Sequence, residues 1–241
     1  MRKKIAHLTS SDGLLLVEAD LAVRRGPPKG SRGKLMPARR VIGGVLLAAG
    51  ASRRFGSPKL LQPLADGTPM ALASALSLMA AVDWILAVIR PGDVLLARLL
   101  VDHGVPVLPC PEASQGMGRS IACGVKASPD ADGWIVALAD MPFIRESTIQ
   151  GVVQLLRDGA LLAAPCCEGR RGHPVGFSKP LGPALAILDG DEGARTIIAQ
   201  HRNHLRCYPC TDAAIHGDID TPSDLASWES ALAAGGATEG A

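Results

Sequence analysis

The run Leu47-Ala-Ala-Gly-Ala-Ser-Arg-Arg-Phe-Gly-Ser-Pro-Lys59 sets small residues directly ahead of three cations, Arg53, Arg54 and Lys59. Gly50, Ala51 and Ser52 let a backbone approach a ligand closely, and exposed N–H groups in such a turn form an anion-binding concavity. A polyphosphate is the natural guest. The run is not a Walker loop, because no Gly-Lys-Ser/Thr follows, and it lacks the three-glycine spacing of a dinucleotide fingerprint.

Two acidic segments supply the complementary chemistry. Asp140 follows the apolar run Trp134–Ala139 and precedes Met141-Pro142, so its carboxylate is expected at the end of a buried strand, facing a crevice. Gly217-Asp-Ile-Asp-Thr-Pro-Ser-Asp224 holds the second group. Asp218 and Asp220 fall in an extended stretch, where alternation is expected to turn only one toward the crevice. Asp224 falls in the first turn of the next helix as a partner of its dipole. One or two carboxylates plus substrate phosphates are the usual setting of Mg²⁺. A third stretch, Pro111-Glu-Ala-Ser-Gln-Gly-Met-Gly-Arg-Ser-Ile121, opens a helix with two glycines and Ser120, a setting that admits an anion or a nucleotide at close range.

These residues need a scaffold, and the pattern from Val41 onward provides one. Continuous apolar runs without alternation read as strands buried on both faces at Val41–Ala48, Trp84–Ile89, Val105–Leu108, Trp134–Ala139, Leu161–Ala164 and, more weakly, Leu205–Tyr208. Helical segments alternate with them at Met70–Ala81, Asp93–His103, Gly118–Ala127, Glu146–Arg157 and Ala194–His201, and a last helix runs from Pro222 to Ala233 with Thr221 as N-cap. The expected class is α/β, a Rossmann-like, mostly parallel sheet with helices on both faces. Ligands of such sheets sit beyond the carboxyl ends of the strands, where the loops named above fall.

Charge divides the chain. The total of 25 Lys+Arg against 23 Asp+Glu is nearly neutral, but residues 1–40 hold 10 basic and 3 acidic side chains, leaving the remainder net acidic. Residues 1–40 are expected to be a flexible basic Gly/Pro-rich extension, 41–234 the domain and 235–241 a frayed tail. Only 3% of the residues are aromatic, which disfavours a base-stacking surface, and an acidic body disfavours phosphate-backbone binding; no nucleic-acid partner is expected. No run reaches the ~18 apolar residues of a membrane span, and the start lacks an h-region, so a cytoplasmic location is expected. The six cysteines, including Cys166-Cys167 and Cys207-Tyr-Pro-Cys210, read as buried or incidental thiols, since one CxxC does not complete a zinc site.

From Val41 to Trp228 the sequence resembles the MobA-like nucleotidyltransferases that act on molybdenum cofactor. Their loop pattern, Leu-Ala-Ala/Gly-Gly-x-Ser-x-Arg-Met-Gly-x-x-Lys, is met by Leu47, Ala48, Ala49, Gly50, Ser52, Arg54, Gly56 and Lys59, with Phe55 in place of Met. Asp140-Met-Pro-Phe143, Gly116-Met-Gly-Arg-Ser-Ile121 and Asp218-Ile-Asp-Thr-Pro-Ser-Asp224 follow the family's remaining elements. The resemblance implies Arg54 and Lys59 as the catalytic cations on the triphosphate, and Asp140 and Asp220 as ligands of Mg²⁺, or of Mn²⁺ in its place. It implies Ala48, Ala49, Gly50, Ser52, Gln115, Gly116 and Ser120 around the nucleotide. It also implies His173, Pro174 and Arg195 on the acceptor side.

The Ala-Ala-Gly form of the loop is similar to the cytidylyl-transferring, MocA-like branch, so Ala49 points to CTP as donor and molybdopterin as acceptor. A recipient molybdoenzyme is the implied transient partner. The alternatives are a guanylyl- or sugar-phosphate nucleotidyltransferase of the same fold, or a non-catalytic cofactor carrier. Such a carrier would not need paired metal carboxylates.

Overall fold

The computed structural model describes residues 39–50 and 55–236. The expectations for residues 1–38, for Ser52, Arg53 and Arg54, and for 237–241 lie outside the described residues.

The first strand, β1 (Ile42–Leu47), is buried along its whole length because it has a parallel neighbour on each side, β2 (Trp84–Ile89) and β4 (Gly133–Leu138). Its side chains alternate between two cores. Ile42 and Leu46 join one apolar cluster with Leu78, Leu100, Ile149 and Val152; Val45 and Leu47 join the other with Ile121, Val125, Leu185 and Ile197. Helices α1 (Met70–Ala81), α2 (Val94–Asp102) and α4 (Glu146–Arg157) cover the first face. The second is covered by α3 (Met117–Lys126), α5 (Gly182–Ala186) and α6 (Arg195–Gln200).

Strand β3 is Val107–Pro109, β5 Leu162–Cys167, β6 Arg170–Arg171, β7 Val175–Ser178 and β8 Leu205–Pro209. The sheet runs β3-β2-β1-β4-β7-β5-β6, with β8 paired to β5. The chain builds outward from β1 through β2 and β3, then crosses back to lay β4 on the other side of β1. That reversal opens a crevice beyond the carboxyl ends of β1 and β4.

The expected strands and helices are present with ends shifted by a few residues, and the α/β class holds. Two features depart from the sequence reading. Strand β7 enters antiparallel between β4 and β5, and β6 pairs antiparallel with β5, so only the β3-β2-β1-β4 half and the β5–β8 pair are parallel. The β5–β6 hairpin turns on Glu168 and Gly169, both at positive φ (51° and 73°), as a two-residue turn between twisted strands requires.

The second departure concerns the cysteines. Cys166 and Cys207 are joined in a disulfide between β5 and β8, which corrects the reading of all six as thiols; Cys110, Cys123, Cys167 and Cys210 are free. The sequence could not show this pairing, because β5 and β8 become neighbours only in the folded sheet. Before β1, Arg40 donates to the carbonyls of Leu156 and Arg157 at 3.1 and 2.9 Å. It thereby satisfies the C-terminal end of α4.

Candidate active site

The crevice at the reversal point is a cleft of about 670 Å³. Its floor is the end of β1: the N–H of Ala48 donates to Val88 at 2.8 Å, extending the ladder, and Ala49 and Gly50 then emerge into the wall. Arg90, just past β2, donates to the carbonyl of Gly50 at 2.9 Å and lines the cleft as well.

Lys59 begins a single 3-10 turn, Lys59–Leu61, after Pro58. Its neighbour Leu60 packs into the core, and Lys59 is itself only 7% exposed. The ammonium reaches Asp140 Oδ2 at 2.8 Å and Asp220 Oδ1 at 3.2 Å. Burial alone would lower the Lys59 pKa; the hydrogen bonds and charges of Asp140 and Asp220 outweigh it and raise it above the ordinary 10.5. The side chain is therefore a full positive charge at neutral pH.

Asp140 leaves the end of β4 while its backbone is fixed from several sides. The N–H of Ala139 donates to Leu47 at 3.1 Å, Ser74 Oγ donates to the Ala139 carbonyl at 3.0 Å, and Ile219 N–H donates to the Asp140 carbonyl at 3.0 Å. The last of these brings in the second acidic segment. Asp218 and Asp220 both line the cleft, while Ile219 between them is fully buried. The expectation that only one would face the crevice is thus corrected: residues two apart in an extended chain share a face, and the residue between them turns away.

Asp224 holds this segment from below. Its carboxylate accepts from the backbone of Thr221 at 2.7 Å and of Asp220 at 3.0 Å, while its own N–H donates to Thr221 Oγ1 at 3.2 Å. This reciprocal box starts α7 (Pro222–Gly236) as expected of Thr221. The Thr221 hydrogen bonds, with a smaller backbone contribution from Asp220, hold the Asp224 carboxyl below its usual range. Asp212 anchors the preceding stretch: buried, it accepts from Arg145 N–H, Thr148 Oγ1 and Ala214 N–H at 2.9, 2.8 and 3.2 Å.

The opposite wall is the start of α3. Ser114, Gly116, Met117 and Ser120 line it, whereas Gln115 is exposed outside the lining. Gly116 lines the cleft, and the missing side chains of Gly116 and Gly118 also make room for another part of the chain. A Cβ on Gly116 would meet the carbonyl group of Gly190 at 2.3 Å, and one on Gly118 the Asp189 oxygen at 2.6 Å. The turn Asp189–Gly193 is seated there by Gly118 N–H donating to Gly190 at 2.9 Å and by an Arg119–Asp189 ion pair at 2.8 Å. Seating the turn carries Asp191 into the cleft lining.

His173, Pro174 and Arg195 are not part of that lining. His173 follows the β5–β6 hairpin, its N–H donating to Ile215 at 2.9 Å and its buried Nδ1 without a hydrogen-bond partner among the described residues. Burial, then the charges of Arg171 and Arg195, push its pKa down, against the opposing pull of Asp140 and Asp218. The ring thus feels both the cleft carboxylates and the two arginines, and it is neutral at pH 7.

Sequence reasoning missed Arg90 and Asp191 as residues of the cleft. Arg90 had a usable signal, since it ends a strand beside the reversal point. Asp191 reaches the cleft through the glycine seat of its turn.

The family model of the MobA-like NTP transferase domain matches residues 44–205. The purine catabolism protein PucB of Bacillus subtilis is 31% identical over 193 residues, 75% of this chain and 92% of that protein. The molybdenum cofactor cytidylyltransferase of Escherichia coli is 28% identical over 192 residues, again 75% and 92%. The molybdenum cofactor guanylyltransferase of Cupriavidus metallidurans is 34% identical over 215 residues, 83% of this chain and all of that protein. The matched span takes in the end of β1, Lys59, the α3 wall and Asp140, so with a cleft at the sheet's reversal point the chain belongs to the MobA-like NTP transferase family of nucleotidyltransferases.

Proposed function

We propose that the protein transfers the cytidylyl group of CTP to the terminal phosphate of molybdopterin, giving molybdopterin cytosine dinucleotide and pyrophosphate. The observation that carries the reading is the convergence of Lys59, Asp140 and Asp220 in the cleft beyond β1 and β4. An oxygen of the acceptor phosphate forms a bond to the α-phosphorus of CTP. The bond from that phosphorus to the β-phosphate oxygen breaks, and pyrophosphate leaves with the electron pair. The attacking phosphate is already anionic and needs no general base, so catalysis is positioning and charge neutralisation.

The donor set fits a divalent cation. Asp140 and Asp220 present hard oxygens to one cationic point, now met by Lys59. Among the described residues no third His, Cys, Asp or Glu completes a cage. Two carboxylates with phosphate oxygens making up the remainder suit Mg²⁺ or Mn²⁺. Bound there, the ion would polarise phosphate oxygens and draw charge from the reacting group. Lys59, with Arg54 from the glycine loop, offsets charge on the phosphates; Ala48, Ala49, Gly50 and Ser52 give the loop its close approach. Gly116 and Ser120 flank the nucleoside, with Gln115 beside them. Arg195, with His173 and Pro174, stands on the acceptor side. A recipient molybdoenzyme is the expected partner for the product.

The 34% identity to a guanylyltransferase favours one second reading, GTP as donor. Ala49 in the Ala-Ala-Gly loop supports CTP. The test is the purified protein with Mg²⁺ and molybdopterin, offered CTP or GTP, with pyrophosphate and the dinucleotide both followed. Turnover with CTP supports the proposal, and preference for GTP moves it to the sister activity. Release of pyrophosphate without a dinucleotide, or no product with either donor, refutes it.

A further inference from the structure

We propose that Lys59 is a resident counter-cation of the carboxylate pair, which holds divalent metal off those carboxylates until nucleotide phosphates draw its ammonium away, so that metal and nucleotide are taken up together. This rests on the reading of Asp140 and Asp220 as the metal carboxylates.

The geometry supplies the argument. One ammonium lies 2.8 Å from Asp140 Oδ2 and 3.2 Å from Asp220 Oδ1. Mg²⁺ binds carboxylate oxygens at about 2.0–2.1 Å and tolerates little distortion of its shell. An ammonium bonded to both carboxylates therefore stands where the ion would have to bind, and the two like charges repel at that separation.

The lysine is also held from retreating. Its side chain is 9% exposed, its backbone opens the 3-10 turn, and its carbonyl accepts from Gln62 N–H at 3.1 Å. The carboxylates are fixed independently of it, Asp140 at the end of β4 and Asp220 above the Thr221–Asp224 box. Removing the ammonium would leave two negative groups facing the same point.

A polyphosphate changes the balance. Its several negative charges give the ammonium a new partner inside the same cleft and complete the coordination that two carboxylates leave open. Each ligand then removes an obstacle to the other, a reciprocal coupling between two binding events. The practical effect is economy of exposure: the site does not collect free divalent cations, and the lysine is released to the phosphates only when they are present.

The test is Mn²⁺ binding to the full chain without nucleotide, measured by titration calorimetry and by the loss of the free-ion resonance signal. Lys59→Met should bind Mn²⁺ about tenfold or more tighter than the unsubstituted protein, within the usual range of such couplings. Lys59→Arg, which keeps a cation in place, should bind no tighter than the unsubstituted protein. Adding Asp140→Asn to Lys59→Met should abolish the gain. Equal or weaker binding by Lys59→Met, or a gain that survives Asp140→Asn, overturns the proposal.

A second measurement needs no substitution. The ammonium resonance of Lys59, observed by nitrogen-15 NMR, should move little with Mg²⁺ alone and shift when Mg²⁺ and CTP are added together. A full shift with Mg²⁺ alone, or none with both, overturns the proposal. Neither readout depends on molybdopterin or on product, so failure here leaves the transfer assay to judge the reaction, and failure there leaves these results standing.

Discussion

The N–H of Ile219 donates to the carbonyl of Asp140 at 3.0 Å. That bond ties the end of a central strand to the segment carrying Asp218 and Asp220, so two carboxylates far apart in sequence share one frame. The sheet contributes the first, the start of α7 contributes the second, and neither alone makes the pair.

Asp224 is a positioning residue for that frame. Asp224→Ala removes the acceptor for the Asp220 and Thr221 N–H groups. It should lower kcat more than it raises the KM for nucleotide, with Asn at 224 restoring part of the loss through its side-chain oxygen. Steady-state kinetics of both variants check this. Because the Asp224 pKa is lowered from 3.8 in the folded protein, its stabilising contribution is complete above that value and is lost as pH falls through the folded pKa.

Gly116 is the seat of the Asp189–Gly193 turn. Gly116→Ala brings a Cβ to 2.3 Å from the Gly190 backbone at a φ of 125°. The cost should be about 2 kcal/mol, or roughly 4–8 °C in Tm for a domain of this size. Thermal unfolding measures it, and an unchanged Tm would show that the turn is not held by this contact.

His173 gives a pH signature. Its folded pKa lies below the ordinary 6.5, first through burial and then through Arg171. Between those two values the unfolded chain binds the proton and the folded chain does not, so stability falls as pH drops below about 6.5. The Tm of the unsubstituted protein should decline between about pH 7 and pH 5, and His173→Gln should flatten that decline. An identical decline in the variant would assign the effect to other groups.

The disulfide closes a loop with a sequence separation of 41 residues. By the loop-entropy estimate it contributes about 4 kcal/mol against the reduced unfolded chain. Cys207→Ser, or treatment with a reductant, should shift the denaturant midpoint downward together. A midpoint insensitive to both would mean that β8 is held to β5 by its ladder alone.

How far the fold could be read from the sequence follows from what each element depends on. Strands β1, β2 and β4 were legible because burial on both faces leaves uninterrupted apolar runs such as Trp84–Ile89. Strand β7 shows in the sequence as the start of a short strand within Gly172–Phe177, but its antiparallel place between β4 and β5 does not, because pairing with β4 and β5 sets it. In the site, Lys59 and Asp140 were legible from their loop and strand-end positions and Asp220 from the family resemblance, and all three meet in the cleft. Asp218 joins Asp220 on the cleft face because the buried Ile219 between them takes the opposite side. The glycines of the α3 wall were visible, but their neighbour was not, because the turn at Gly190 comes from a distant part of the chain.

The carboxylate–lysine centre should act directly in cytidylyl transfer. The most direct measurement is dinucleotide formation from CTP and molybdopterin with Mg²⁺, by the unsubstituted protein and by Asp140→Ala. The unsubstituted protein should form molybdopterin cytosine dinucleotide and pyrophosphate in equal amounts, and Asp140→Ala should lose about 10²–10³ in kcat while keeping the far-ultraviolet dichroism of the folded chain. Near-normal turnover by Asp140→Ala, or no cytosine dinucleotide from the unsubstituted protein, would contradict it.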